Sequence, residues 1–321
     1  MFAALLTTVF FSISAVTANR SVRYLSANEA NFWRLLVATI VLGIIAHGWG
    51  AGLAGEFLPW FLLSGIVGFG LGDTALFQAL PRIGSGLTVL LVHCLAAPTA
   101  MTIEWLWLGN AVSMIEMLCG FTILAGLVVA LAPLGTSPPA GRHWMSGILF
   151  ATVAAVGQGG GAVISRKAYA VAAQTDLQLA GVMGGLNATY QRILAGLAIA
   201  AVSVLIARRH AVVAHIERSV AVPSGSGAPA RWARAWPWIV LNGLAGPTCG
   251  VACYQWALQA NKSGVVLPIV ALTPLVVMPL ARFFEGEKPS RRAVIGGVIA
   301  VAGVALLTQA SRLEAWLNPG P

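Results

Sequence analysis

The sequence predicts an all-α membrane protein: ten transmembrane helices, arranged as two inverted five-helix repeats. Three observations predict it: scarce charge, recurring apolar segments long enough to cross a bilayer, and a repetition of the first half in the second. Of 321 residues 58% are hydrophobic and 9% charged, and the mean hydropathy is +0.83. A soluble domain carries roughly a quarter charged residues, so most of this surface faces something other than water. Apolar segments fall at about 1–18, 30–47, 57–80, 84–103, 111–133, 146–165, 184–207, 236–258, 264–281 and 293–309. A helix needs about 20 apolar residues to span a bilayer. Helices are expected because backbone groups in hydrocarbon must be bonded within the segment, and the ten-residue alternation of barrel strands is absent.

The repeat sets the organisation. At an offset of 178, Trp60, Gly65, Gly68, Gly72, Ala79, Leu80, Ser85 and Gly86 fall on Trp238, Gly243, Gly246, Gly250, Ala257, Leu258, Ser263 and Gly264. At 177, Ser113, Gly120, Ala125 and Gly126 fall on Ser290, Gly297, Ala302 and Gly303, and Arg34-Leu-Leu corresponds to Arg192-Ile-Leu. An odd number of helices per copy requires the copies to sit upside down relative to each other, an arrangement common in secondary transporters with a midplane site between the halves. The expected boundaries are a first repeat 1–133, a linker 134–145, a second repeat 146–309 with a polar loop 208–235, and a tail 310–321. The loop holds Pro223-Ser-Gly-Ser-Gly-Ala-Pro229, a flexible composition.

Met1–Ala18 ends in a small-residue pattern like a signal cleavage site, but it lacks a basic start and matches a later helix, so a retained helix is expected. The net charge of +9 comes from Lys and Arg placed mainly in loops, which suits topology control and anionic lipid headgroups; no compact basic domain points to nucleic acid. The odd-numbered loops carry most of these residues, which by the positive-inside rule puts them in the cytoplasm. Trp33, Trp49, Trp60, Trp105, Trp107, Trp144, Trp236 and Trp238 lie near segment ends, as interfacial anchors do. Cys94, Cys119, Cys249 and Cys253 sit in apolar runs without metal or disulfide spacing. No cofactor or metal is expected. Gly157-Gln-Gly-Gly-Gly-Ala162 looks like a dinucleotide fingerprint but lies within a helical run with no preceding strand; it marks a helix that bends or packs closely beside a cavity. Asn187-Ala-Thr189 is a sequon at a helix entry, where glycosylation is not expected.

The stretches Asn31-Phe-Trp-Arg-Leu35, Ser64-Gly-Ile-Val-Gly-Phe-Gly-Leu-Gly-Asp-Thr-Ala-Leu-Phe-Gln-Ala-Leu80, Pro98, the Gly120/Gly126 helix, Tyr254-Gln-Trp-Ala-Leu258, Pro274 and Phe284-Glu-Gly-Glu-Lys-Pro-Ser290 together resemble the EamA-like ten-helix carriers of the drug/metabolite transporter superfamily. The resemblance covers nearly the whole chain. It departs at Leu108-Gly-Asn110, where the family usually has Leu-Gly-Glu, and in the Gly48–Glu56 loop, which lacks Lys and Arg. It implies cytoplasmic termini, opposite to the charge count, and orientation stays open.

Several residues are candidates for function. Asp73 lies deep in the third segment, where an unpaired carboxylate is costly, and its repeat equivalent is Val251; it is a candidate for substrate or proton handling, or for pairing with an arginine near the membrane face. Arg34 and Arg192 either snorkel to headgroups or hold a structural or substrate role, and Glu116 is either interfacial or proton-coupling. Glu104 is expected at the interface. His93 is a packing or cavity histidine, and Gln78, Gln158, Tyr254, Gln255 and Trp256 are candidate hydrogen-bonding and aromatic walls. Gly68-x-x-x-Gly72 and Gly246-x-x-x-Gly250 favour close helix packing, and Pro98, Pro268 and Pro274 kink helices and suit gating. The expected function is a secondary carrier, in the bacterial inner (plasma) membrane, that exports small metabolites such as amino acids, with protons as a candidate coupling ion. A membrane-embedded enzyme or a non-transporting scaffold is the alternative.

Overall fold

The computed structural model describes residues 1–22, 24–110, 112–131, 142–175, 180–217, 228–277 and 291–310, and every regular element among them is helical. The first half contains α1 (Phe2–Ser21), α2 (Ala27–Trp49), α3 (Leu58–Gly65), a π-helical stretch Ile66–Asp73, α4 (Thr74–Leu108) and α5 (Met114–Leu131). The second contains α6 (Arg142–Ala172), α7 (Gly181–Glu217), α8 (Ala228–Gly243), a second π-helical stretch Leu244–Gly250, α9 (Val251–Ala260), α10 (Ser263–Val270) and α11 (Arg291–Thr308). Among the described residues, five stretches are long and apolar enough to cross a membrane: Ala27–Trp49, Leu58–Ala79, Leu90–Leu108, Trp144–Ala172 and Gly181–Arg209. Phe2–Ala18, Met114–Ala130, Ser263–Val277 and Val294–Thr308 are shorter apolar helices. Residues 134–141 of the expected linker, most of the flexible segment Pro223–Pro229 and the Phe284–Ser290 motif lie outside the described residues.

Outward faces are apolar. Met145, Leu149, Val153 and Val156 on α6, Met114, Leu118 and Phe121 on α5, and Val294, Val298 and Val301 on α11 are exposed at helical spacing. Inward faces carry hydroxyls. Thr8 and Ser12 of α1 are buried and bridge to the backbone oxygens of Ile269 (3.3 Å) and Thr273 (3.0 Å). That polarity is the reverse of a water-soluble bundle and is what a lipid solvent selects.

Small residues bring the backbones together. On one side of α6, a Cβ at Gly157 would meet Gly72 and one at Gly161 would meet Gly68, and Ser64 Oγ donates to Gly161 O at 2.6 Å. On another side, a Cβ at Gly159 would meet Ala96 and Ala100. The Gly157–Gly161 cluster is therefore wedged between the first π-helical stretch and α4. Gly147 meets Arg82 and Ile83, so α6 runs antiparallel to residues 64–83 and parallel to residues 96–104. The chain has turned back on itself between Ile83 and Ala96, although helical structure continues through residues 81–83, expected to separate two segments.

The second half repeats this contact with α1 in the place of α6. Gly246 meets Ser14, Gly250 meets Phe11, and Ser14 Oγ donates to Asn242 Oδ1 at 2.7 Å. α5 and α11 pack antiparallel through Gly126, Gly296 and Gly303, and α2 packs antiparallel on α7, with Tyr190 against Gly43 and Glu29 beside Arg208. Gly126→Val drives a side chain into the α11 backbone. It is expected to destabilise the fold by about 1–3 kcal/mol and lower Tm in detergent, whereas Gly48→Ala, in open space, leaves Tm unchanged or raises it.

Candidate functional site

A cavity of about 80 Å³ lies where the two halves meet. It is lined by Phe11, Gly68, Phe69, Asp73, His93 and Ala96 from the first half and Gln158, Arg192, Val251, Tyr254, Leu267 and Val270 from the second. Its floor elements are irregular. Each π-helical stretch inserts an extra residue per turn, a distortion that frequently accompanies functional sites; the first supplies Gly68, Phe69 and Asp73, and Val251 follows the second directly.

Prolines add breaks, and hydroxyls repair them. Pro247 leaves the Gly243 carbonyl without its helical donor, and Thr248 Oγ1 donates to it at 2.9 Å. Pro274 does the same to Val270, whose oxygen accepts from Thr273 Oγ1 at 2.6 Å. α10 stops at Val270, a cavity residue, and helix resumes at 273–277. Pro268 lies within α10 against Gly120, and the Pro98 carbonyl in α4 accepts from Thr102.

The charges are unevenly matched. Arg34 is buried; its Nε donates to Asn31 and its Nη2 meets Asp73 Oδ2 at 2.5 Å. Arg192 is 4% exposed, with its guanidinium 5.3 Å from the Phe69 ring, and among the described residues its Nε and Nη1 have no hydrogen-bond partner. Both arginines are thus buried rather than snorkelled. Asp73 is bonded to Arg34, and the charge of Arg192 acts on it at longer range.

Of the residues singled out from sequence, the structure brings Gly68, Asp73, His93, Gln158, Arg192 and Tyr254 together at the cavity. Others lie elsewhere. Gln78 accepts from Arg82 Nη1 at 2.8 Å and donates toward Asn28. Gln255 is buried with both side-chain polar atoms unpartnered, and Trp256 packs edge-on to Phe2. Glu116 caps α5 through Ser113 and pairs with Lys262 at 3.4 Å. Phe11, Phe69, Ala96, Val251, Leu267 and Val270 were not singled out, because an apolar wall residue looks like any other apolar helix residue; only Phe69, inside the Gly68-Phe-Gly70 stretch, had a local signal.

Glu104, expected at the interface from its place near the end of a segment, is fully buried within the protein. Arg166 Nε approaches its Oε1 at 3.2 Å, while the backbone N–H (2.7 Å) and hydroxyl of Ser263 donate to its Oε2. Arg166 Nη1 also donates to Leu258 O at 2.9 Å. With Lys262 held by Glu116, the α9–α10 turn is tied to the first half by two carboxylates. Among the described residues no three His, Cys, Asp or Glu groups converge as a metal site.

A family model described as the EamA-like transporter family matches residues 1–132 and 145–309. The chain belongs to the EamA-like transporter family. As an EamA-like protein it is a multi-pass inner-membrane transporter of the drug/metabolite superfamily. Curated relatives include proteins described as probable 4-amino-4-deoxy-L-arabinose-phosphoundecaprenol flippase subunits ArnE. The one from Pseudomonas paraeruginosa strain PA7 is 38% identical over 84 residues, 26% of this EamA-like chain and 70% of the relative. The one from Pseudomonas aeruginosa strain LESB58 is 37% identical over the same shares. A solved structure, titled only as the crystal structure of a protein, superposes with TM-score 0.70 over 97% of this chain and 99% of its own at 20% identity, and so shares the EamA-like fold.

Breaking a buried ion pair by removing one partner costs about 3–5 kcal/mol, whereas an exposed pair contributes about 1 kcal/mol or less. Glu104→Ala should therefore lower thermal stability in detergent markedly, and Glu29→Gln, in the exposed pair with Arg208, should barely move it. Equal Tm shifts for the two variants would contradict this account of the α9–α10 turn.

Proposed function

We propose that this EamA-like protein is a secondary carrier that exports small metabolites, amino acids and related compounds among them, by alternating access between two inverted five-helix units. The observation that carries this reading is the position of the cavity, which draws its lining from both halves and sits beside a broken helix and two π-helical stretches. Discontinuous helices at a repeat interface are a common way to build a transporter site. The antiparallel pairing of α2 with α7, and of α5 with α11, supports inversion, because these are equivalent elements in the sequence repeat. A unit that rocks must break contacts at one face while forming them at the other. The Glu104–Arg166–Ser263 cluster and the Lys262–Glu116 pair are the contacts between halves that such rocking would open.

No nucleotide-binding motif supplies energy, which leaves the solute gradient or protons as the drive. Asp73 is the proposed coupling residue, since it is the carboxylate lining the cavity. The flippase relatives support a second substrate reading, a lipid-linked phosphosugar. A cavity of about 80 Å³ favours the small solute.

The test is flux of a metabolite panel in proteoliposomes, with and without a pH gradient. Amino acids should move in the wild type and be accelerated by the gradient, and Asp73→Asn should remove the acceleration. Proton dependence that survives Asp73→Asn would take Asp73 out of the coupling step; no flux for any panel member would remove the carrier reading.

A further inference from the structure

We propose that Arg192 is the recognition residue for an anionic oxygen group, carboxylate or phosphate, on the transported molecule. The inference rests on the carrier reading above and deepens it by naming the charge of the substrate.

The argument begins with the cost of burial. A guanidinium out of water is expensive unless it is paired and hydrogen-bonded. Arg34 meets that requirement with Asp73 and Asn31. Arg192, its equivalent in the sequence repeat, does not: it is 4% exposed, lines the cavity, and leaves Nε and Nη1 without partners. Its nearest aids are the face of Phe69 at 5.3 Å and the longer-range charge of Asp73. Asp73 is already engaged by Arg34, so the cavity region holds two guanidiniums and one carboxylate.

The second observation is the missing counter-charge. The position equivalent to Asp73 is Val251, which also lines the cavity. Where the first repeat has a carboxylate, the second thus has an isopropyl group on the wall of the cavity that Arg192 also lines. The planar fork of a guanidinium matches a carboxylate or phosphate edge through two parallel hydrogen bonds. The remaining walls set the rest of the ligand: Phe11, Phe69, Ala96, Leu267 and Val270 suit an apolar body. Packing restricts Arg192 further. A Cβ at Gly68 would strike Arg192 Nη2, so glycine at that position leaves room for the guanidinium.

The proposal is tested by binding to the purified full chain in detergent, read by titration calorimetry. The probes are 4-methylpentanoate, leucine, 3-methylbutylamine, 4-methylpentanamide, inorganic phosphate and dioctanoyl phosphatidic acid. At least one anionic probe should bind about tenfold or more tightly than the amine and the amide. Preference for the soluble acids identifies a free solute, and preference for the phosphatidic acid identifies a lipid headgroup. Arg192→Gln should weaken the anion about tenfold or more, with Arg192→Lys restoring part of it. Val251→Asp keeps Arg192 but supplies the absent counter-ion, and should weaken the anion likewise. Amine or amide binding as tight as that of every anion overturns the inference. So does anion affinity unchanged in Val251→Asp or Arg192→Gln, or failure of every anionic probe to bind the wild type. Anion binding without proteoliposome flux would sink the carrier reading and leave this one standing, whereas flux of cations that is indifferent to Arg192 would do the reverse.

Discussion

Hydrocarbon offers no hydrogen bonds, and almost every local feature of this molecule answers that fact. A polar group that faces lipid without a partner costs several kcal/mol, so the backbone closes its own bonds as helix and the side chains that donate are turned inward. Thr8 and Ser12 of α1 follow this rule: buried, each bonds a carbonyl of its own helix, and they reach across to Ile269 and Thr273. Where proline removes a donor, a neighbouring threonine supplies one, Thr248 for Gly243 and Thr273 for Val270. The irregular segments are therefore tolerated only where the interior can repair them. That condition gives each stretch one flank in the interior, although Ile66, Leu71 and Leu244 of the same stretches face outward.

Packing follows from the same absence of water. Lipid tails are as apolar as leucine, so burying leucine against leucine gains little, and association depends on close contact and interhelical hydrogen bonds. Gly157 and Gly161 against Gly72 and Gly68, and Gly126 against Gly296, bring main chains within contact of each other. α6 uses alternate glycines on two faces, one against the first π-helical stretch and one against α4. Both π-helical stretches contain the small-residue pairs identified from the repeat, so the distortion and the close approach occur together. The first stretch combines that close contact with the cavity, which Gly68, Phe69 and Asp73 line.

Composition and repetition made the helical membrane fold legible before any coordinates, because a bilayer imposes a length and polarity that few other environments impose. The Gly157–Gly161 cluster was readable as a close-packing element for the same reason. Asp73 and Arg192 stood out because charge in an apolar run is costly and must have a cause. The burial of Glu104 was not legible from its place near the end of a segment; its partner Ser263 is 159 residues away, and no local pattern reports a partner so distant. Arg34 illustrates the same limit, since whether it snorkels or pairs depends on how α2 lies against residue 73. The apolar walls, Leu267 and Val270 among them, were invisible because nothing in a hydrophobic helix marks which face borders a void.

Duplication explains why the site is lopsided. Two copies of one unit supply two arginines at equivalent places, Arg34 and Arg192, each on a helix that packs beside a π-helical stretch. A fully symmetric chain would give each its own carboxylate and neutralise both. Here Asp73 is present and Val251 is not its match, so one guanidinium is spent within the protein and the other is left facing the void. A carrier that binds a charged group needs just such an imbalance, because an arginine already satisfied by its own chain gains little by exchanging that partner for a ligand. The ion pair of Arg34 and Asp73 and the unpaired Arg192 are on this view two outcomes of one ancestral contact, separated by a single side chain.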